Sequence, residues 1–226
     1  KRHDPDRLYR RLLIAAIWIA LIPFAGRYLI AGNPALAVFI KSNFLVWAAL
    51  FTCLAIFAFP CVLLGTVTPS LVKFSVSNLD DNGKTVGELG ALNTIGSIIG
   101  TFLPTFVTIP AVGTAATFLI FSAVLAAIAV VYFVTAKEKG TLIGTVVVLL
   151  VLAALTPGFS FAFWEKDVTL EDESIYNYLQ VKEVKDQTIL STNVLFGVQS
   201  IKAKNRELTG MYYDYALAAP VMAGIH

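Results

Sequence analysis

The order of apolar and polar positions divides the chain into a long front region of apolar stretches and a shorter back region that alternates. Five stretches are almost wholly apolar, which is typical of helices that cross a membrane. We predict these helices over residues 12–30, 44–65, 86–109, 114–135 and 141–155. The last is short against the roughly 20 residues of a full span, so we expect it to borrow the aromatic stretch that ends at Trp164.

Local signals set the expected boundaries of these helices. Pro60 lies inside the second apolar stretch and predicts a kink there. Thr85 followed by Glu88 fits a capping box, which places the start of the third helix near Val86. Residues 110–113 read as a tight turn between the third and fourth helices.

Beyond Trp164 the pattern changes to alternation with many aromatic and β-branched residues. Residues 174–184, 188–196 and 198–202 are predicted strands, and a turn at residues 185–187 joins the first two. The predicted fold class is therefore a membrane all-α bundle of about five transmembrane helices followed by a small antiparallel β-unit. The corresponding domains are residues 1–164 and residues 165–226.

Composition and charge support this division. Hydrophobic residues make up 57% of the 226 residues and charged residues 14%, which excludes an ordinary soluble domain and intrinsic disorder. The net charge is +2 and the basic residues form no stripe, so a nucleic-acid partner is not expected. Basic residues at the front favour a cytoplasmic N-terminus in a cell (inner) membrane, which leaves the β-unit extracytoplasmic after five spans.

The third predicted helix carries a set of small residues around one polar side chain. Small residues let two helix backbones approach closely, so we predict helix packing by Gly87, Gly90, Asn93, Gly96 and Gly100. The alternative interpretation is a gated pathway, as in transporter helices. Asn93 is expected to make an interhelical hydrogen bond more often than a substrate contact.

Motifs for common enzyme chemistry are absent from the sequence. It contains no hydrolase elbow, phosphate-binding loop, zinc spacing or dinucleotide-binding glycine pattern, so no catalytic residue, metal site or cofactor is predicted. Cys53 and Cys61 are interpreted as small apolar fillers. The aromatic run at residues 212–215 either lines a pocket with Gln199 or begins an amphipathic helix.

Several motifs resemble one protein family. Residues 60–65, 86–100 and 109–113 are similar to the membrane half of bacterial spermidine synthase-like membrane proteins, which fuse major-facilitator-like helices to a polyamine aminopropyltransferase module. Residues 173–176, 196–200 and 212–215 resemble the β-stranded N-terminal domain of spermidine synthases.

The resemblance implies a division of roles within the family. It suggests Gln199, Tyr212 and Asp214 as substrate-side residues. It also implies about two further helices before Lys1 and a Rossmann-like nucleoside-binding domain after Gly224, and that domain would be the missing catalytic partner. Whether the chain belongs to an enzyme is therefore left open.

Three functional hypotheses follow. The first is a membrane-anchoring and β-domain segment of a spermidine synthase-like membrane protein, non-catalytic as given. The second is a structural or accessory subunit of a larger membrane complex. The third is a transport-related helical bundle. The expected partners are the lipid bilayer and either other protein subunits or the C-terminal Rossmann-like domain.

Overall fold

A computed structural model describes residues 5–37, 44–75, 82–136, 139–155, 159–192 and 197–224. The chain divides into two compact units, Lys1–Phe161 and Ala162–His226, and each is described by itself. The α-helices described in the first unit are α1 (Pro5–Ala37), α2 (Phe44–Gly65), α3 (Val67–Ser75), α4 (Asn82–Leu103), α5 (Ile109–Ala136) and α6 (Lys139–Leu155).

Helix α1 packs against α5 and forms the main core of the helical unit. Its buried face includes Leu8, Leu12 and Ala16, which meet Ala126, Ala129 and Phe133 of α5. Small side chains on both helices allow a close approach. The hydroxyl of the buried Ser122 uses that approach and donates a 2.6 Å hydrogen bond to the carbonyl of Ala16.

The third and fourth predicted helices follow each other through a π-helical segment and a kink at Gly113. A π-helical segment, Pro104–Thr108, links α4 directly to α5, where a tight turn at residues 110–113 was expected. The backbone leaves helical geometry only at Gly113, with φ 80° and ψ 167°. The Thr117 hydroxyl bridges this point, since it donates to the carbonyl of Gly113 at 2.8 Å and can accept from the Thr108 hydroxyl, 3.1 Å away.

The five predicted helices correspond to α1, α2, α4, α5 and α6, but the number of candidate membrane spans differs. Within the described ranges, three helical stretches are long and apolar enough to cross a membrane: Pro5–Gly32, Val46–Ser75 and Gly83–Thr135. The third covers two predicted helices, which are separated by the π-helical segment and by the kink at Gly113. The last predicted helix corresponds to α6, which has 17 residues.

The second unit is built on a four-stranded antiparallel meander in the order β1-β2-β3-β4. The strands are β1 (Val168–Glu173), β2 (Tyr178–Val184), β3 (Gln187–Thr192) and β4 (Val198–Ala203). The predicted antiparallel β-unit is confirmed at this level. A 3-10 helix, Tyr212–Ala218, and the short α7 (Ala219–Met222) follow the sheet.

Candidate functional site

Gln199 lies on a bulge in the edge strand of the sheet. Leu190 of β3 pairs with Ser200 and Ser191 pairs with Val198, so Gln199 is the extra residue in β4. Bulges change the direction of a side chain and are common beside functional sites. The Gln199 side chain is exposed.

Tyr213 attaches the 3-10 helix to this edge strand. Its hydroxyl accepts a 2.5 Å hydrogen bond from the Ile201 amide and donates a 3.2 Å bond to the Ile201 carbonyl. One phenol thereby satisfies both backbone groups of one residue on the open edge of β4. Because Ile201 follows Gln199 by two positions, this contact brings the segment with Gln199 beside the segment with Tyr212.

Tyr212 stands next to this attachment and points into solvent. Its ring lies 5.5 Å from the Tyr213 ring in an edge-to-face arrangement, and the residue is 71% exposed. An exposed phenol and an exposed amide can both hydrogen-bond to an amine. The structure thus places Gln199 and Tyr212 on neighbouring segments, and their substrate-side role stays a prediction.

Asp214 closes the loop that precedes the 3-10 helix. Its carboxylate accepts hydrogen bonds from the Thr209 amide and hydroxyl, both at 2.8 Å, and from the Gly210 amide at 2.6 Å. Partial burial pushes the pKa of Asp214 upward, but the hydrogen bonds from Thr209 and Gly210 outweigh burial and hold the pKa below its ordinary value of 3.8. Both carboxylate oxygens therefore have loop partners, while the predicted substrate contact stays untested.

A buried polar group in the sheet was missed at the level of sequence. Gln180 is fully buried in β2, pairs across the strands with Glu171, and donates from Nε2 to Glu171 Oε1 at 3.1 Å and to the Tyr178 hydroxyl at 3.4 Å. Burial, and then the hydrogen bond to Glu171, raise the pKa of Tyr178 far above its ordinary value. The phenol therefore stays neutral. A single glutamine in an alternating strand is expected to face outward, so the sequence did not indicate that Gln180 is buried.

The small residues predicted to pack helices all lie on an exposed helix. Side chains from Gly90 to Leu103 of α4 are exposed. A Cβ added at Gly87, Gly90, Gly96 or Gly100 would meet nothing within 4 Å among the described residues. The partner of this face, including that of Asn93, stays a prediction.

No metal or cofactor site was predicted from the sequence. Among the described residues, no group of three or more His, Cys, Asp or Glu side chains is placed to hold a metal ion. The site therefore consists of hydrogen-bonding groups on and beside an edge strand.

Comparison with known proteins gives one relative. A segment of 94 residues, 41% of this chain, is 53% identical to a protein of Bifidobacterium longum (strain NCC 2705) described as a probable polyamine aminopropyl transferase. The match shows a spermidine synthase-like relationship for that part of the chain. The chain spans about a fifth of the relative's length, 21%. No family model matches the chain, and no solved structure matches it.

Proposed function

We propose that the chain is the membrane-anchoring and β-domain segment of a spermidine synthase-like membrane protein, with major-facilitator-like helices beside a polyamine aminopropyltransferase module. The observation that carries this proposal is the 53% identity to a probable polyamine aminopropyl transferase. The sheet fits the segment that such an enzyme uses beside its nucleoside-binding domain. By itself, the segment has no aminopropyl-transfer activity.

The anchoring role is supported by one side of α1. Exposed residues recur every three or four positions along it, which keeps them on one face of a helix. We name this face the α1 stripe; it consists of Arg7, Arg10, Arg11, Ile14, Trp18, Leu21, Tyr28 and Leu29. From Arg11 to Tyr28 the stripe rises about 25 Å, close to the thickness of a bilayer's hydrocarbon core. Charged side chains at one end and an aromatic ring at the other fit the two interfaces.

Exposed apolar side chains on other helices support the same role. Val46 and Phe51 of α2 and Val131 of α5 are each more than 60% exposed. Large contiguous apolar surfaces are rare on soluble monomers and mark contact with a membrane or another protein. In this proposal lipid covers them, with the N-terminus cytoplasmic and the β-unit extracytoplasmic.

Fractionation and labelling test the anchoring and the orientation. We expect the chain to stay in the membrane pellet after an alkaline carbonate wash. In a Cys53→Ser, Cys61→Ser background, a cysteine introduced at the exposed Asn205 should react with an impermeant thiol reagent in intact cells. Recovery of the chain in the supernatant contradicts anchoring, and labelling only after lysis contradicts the orientation.

An activity assay tests the catalytic part. A neutral amine attacks the methylene beside a sulfonium in aminopropyl transfer, and a carboxylate positions or deprotonates the amine. The chain alone, given a sulfonium aminopropyl donor and a polyamine acceptor, should form no product above background. We also expect the reading frame to continue into a glycine-rich nucleoside-binding domain. Product formation by the segment contradicts the non-catalytic assignment, and a stop codon directly after His226 contradicts the family assignment.

A second candidate, an accessory subunit of a membrane complex, is favoured by the surface of α4. The hydroxyls of Thr94, Ser97 and Thr101 donate to backbone carbonyls four residues earlier, at 2.8 to 3.0 Å. Their polarity is therefore satisfied within α4, which leaves a smooth face for a close helix partner.

Gly96→Leu tests this second candidate. The added side chain should release a co-purifying partner in mild detergent, because it prevents close approach of a second helix. The matched control is Ile95→Leu, on the bulky side of the same helix, which should leave the partner bound. A monodisperse monomer of the unmodified chain contradicts the accessory role.

A further inference from the structure

Strand β4 has a strand neighbour on one side only in the described sheet, because the order β1-β2-β3-β4 places it at an edge. In an antiparallel pair, the backbone groups of alternate residues turn away from the neighbouring strand. An open row of such groups is a template on which a strand of another chain can pair. Ile201 is one of these outward residues, since the Tyr213 hydroxyl bonds both its amide and its carbonyl.

The two halves of this edge are protected in different ways. The bulge at Gln199 bends the first half, and a bulge hinders pairing with a further strand. The second half is regular, with Ile201, Lys202 and Ala203 in register against β3. Tyr213 bonds to Ile201, within this regular half. The phenol therefore covers the part of the edge that the bulge leaves open.

We propose that Tyr213 is an edge guard, which prevents β4 from pairing with β4 of a second copy of this chain. Its hydroxyl occupies the donor and the acceptor of Ile201 that an added strand would use. Two copies of one strand pair antiparallel about a twofold axis, which makes their contact self-complementary. When this pairing is centred on Ile201, Lys202, the one charged residue of β4, lies opposite Ser200 of the second copy. Like charges are therefore not set directly against each other.

The opposite edge of the sheet is a poorer partner for β4. The Glu173 amide of β1 already donates a 2.8 Å hydrogen bond to Asp172 Oδ1. Glu171, Asp172 and Glu173 also give β1 three successive acidic residues, and charged side chains discourage pairing at an edge. Release of Tyr213 should therefore produce a closed dimer through β4 and no open-ended series of copies.

The guard can be removed without opening the loop that precedes it. Asp214 closes that loop through its hydrogen bonds from Thr209 and Gly210, and Tyr213 has no part in them. Tyr213→Phe removes the two bonds to Ile201 and keeps the ring, whereas Tyr213→Ala removes the ring as well. The two variants together test the guard even if the phenylalanine ring still shields the edge.

Molar mass in mild detergent, measured by light scattering over a range of protein concentrations, tests the guard role. The full chain with Tyr213→Phe should dimerise with a dissociation constant at least about tenfold below that of the unmodified chain, and Tyr213→Ala should dimerise at least as tightly. In Tyr213→Phe, hydrogen exchange of the Ile201 amide should slow as protein concentration rises, because the second copy then protects it.

Two further variants locate the contact. Tyr212→Phe changes the exposed phenol beside the guard and should leave the dissociation constant unchanged. Ile201→Pro, added to Tyr213→Phe, should restore the dissociation constant of the unmodified chain. Proline removes the outward amide of Ile201, and an edge strand tolerates it where the amide faces away from the sheet.

Each outcome decides a separate part of the proposal. Unchanged association of both Tyr213 variants overturns the guard role, as does an equal gain in Tyr212→Phe. A dimer that survives Ile201→Pro overturns the choice of β4 as the contact, and a series of species larger than the dimer overturns the choice of β4 of the second copy as its partner. None of these outcomes bears on the anchoring role, which depends on the helical unit.

Discussion

The indole of Trp18 donates a 2.9 Å hydrogen bond from Nε1 to the backbone carbonyl of Ile56. Ile56 lies four residues before Pro60 in α2, and proline has no amide hydrogen to give to that carbonyl. A side chain on α1 thus replaces the hydrogen bond that Pro60 removes from α2. Neighbouring helices commonly satisfy backbone groups freed by a proline in this way.

A double-mutant cycle measures this replacement. Trp18→Phe should destabilise the helical unit by about 1 to 3 kcal/mol, because the Ile56 carbonyl loses its donor. In a Pro60→Ala background the restored amide serves the carbonyl, so the same change should cost about 1 kcal/mol less. Thermal unfolding in detergent gives both values, and strictly additive effects would contradict the assignment.

Tyr213→Phe should loosen the edge of the sheet. The change removes both hydrogen bonds to Ile201 and should cost about 1 to 2 kcal/mol. Hydrogen exchange of the Ile201 amide should become faster. Tyr212→Phe alters an exposed phenol next to it and should leave that exchange unchanged, so equal effects of the two variants would refute the role given to Tyr213.

Asp214 should make its loop sensitive to acid. A carboxyl group with a lowered pKa in the folded state contributes stability that is present above its ordinary value of 3.8 and is lost as pH falls through the lowered value. The amide resonance of Gly210 should therefore titrate below pH 3.8. Asp214→Asn should remove this titration and Asp186→Asn, in the β2–β3 turn, should preserve it; a Gly210 resonance that titrates above 3.8 would count against the assignment.

Gly197 should not tolerate a side chain. An added Cβ would lie 1.5 Å from the Thr192 carbonyl oxygen. The two residues approach closely, since the Thr192 amide donates a 2.6 Å hydrogen bond to the Gly197 carbonyl. Gly197→Ala should destabilise the β3–β4 pair by at least about 2 kcal/mol, seen as faster hydrogen exchange in both strands. At Gly210, where φ is 81° and nothing lies within 4 Å, the alanine change should cost about 1 kcal/mol. A larger cost at Gly210 would contradict this reasoning.

Much of the local structure could be predicted because it depends on local chemistry. The bounds of α2, 44–65, agree with the sequence expectation, since an unbroken apolar run favours helix over its whole length. The turn between β2 and β3 also lies where it was expected, with Val184 paired to Gln187 across it. Lys185 adopts φ 51° in that turn.

Three elements differ from the sequence predictions, each for a specific physical reason. Helix α3 was not predicted, and Pro69 lies in its first turn, where no amide donor is needed. Helix α4 begins at Asn82 instead of near Val86, so the capping box at Thr85 and Glu88 is not its start. Strand β1 was not predicted, because its sequence is acidic and it forms through its pairing with β2.

The candidate functional residues also differ in how much the sequence could predict about them. The resemblance pointed to Gln199, Tyr212 and Asp214 from residue types alone, but it contained no information on their hydrogen bonds. The structure shows that Asp214 holds a loop and that Tyr213, its neighbour, joins that segment to β4. Gln180 became visible only when pairing with Glu171 placed it inside the sheet.

By itself, the sequence determined where apolar stretches become helices and where alternation begins, because hydrophobicity and periodicity are properties of neighbouring residues. Tertiary structure alone decided which groups separated along the chain meet: Trp18 with Ile56, Ser122 with Ala16, and Asp6 with Tyr132. Each pairing depends on how two helices pack in space. No local pattern contains that information.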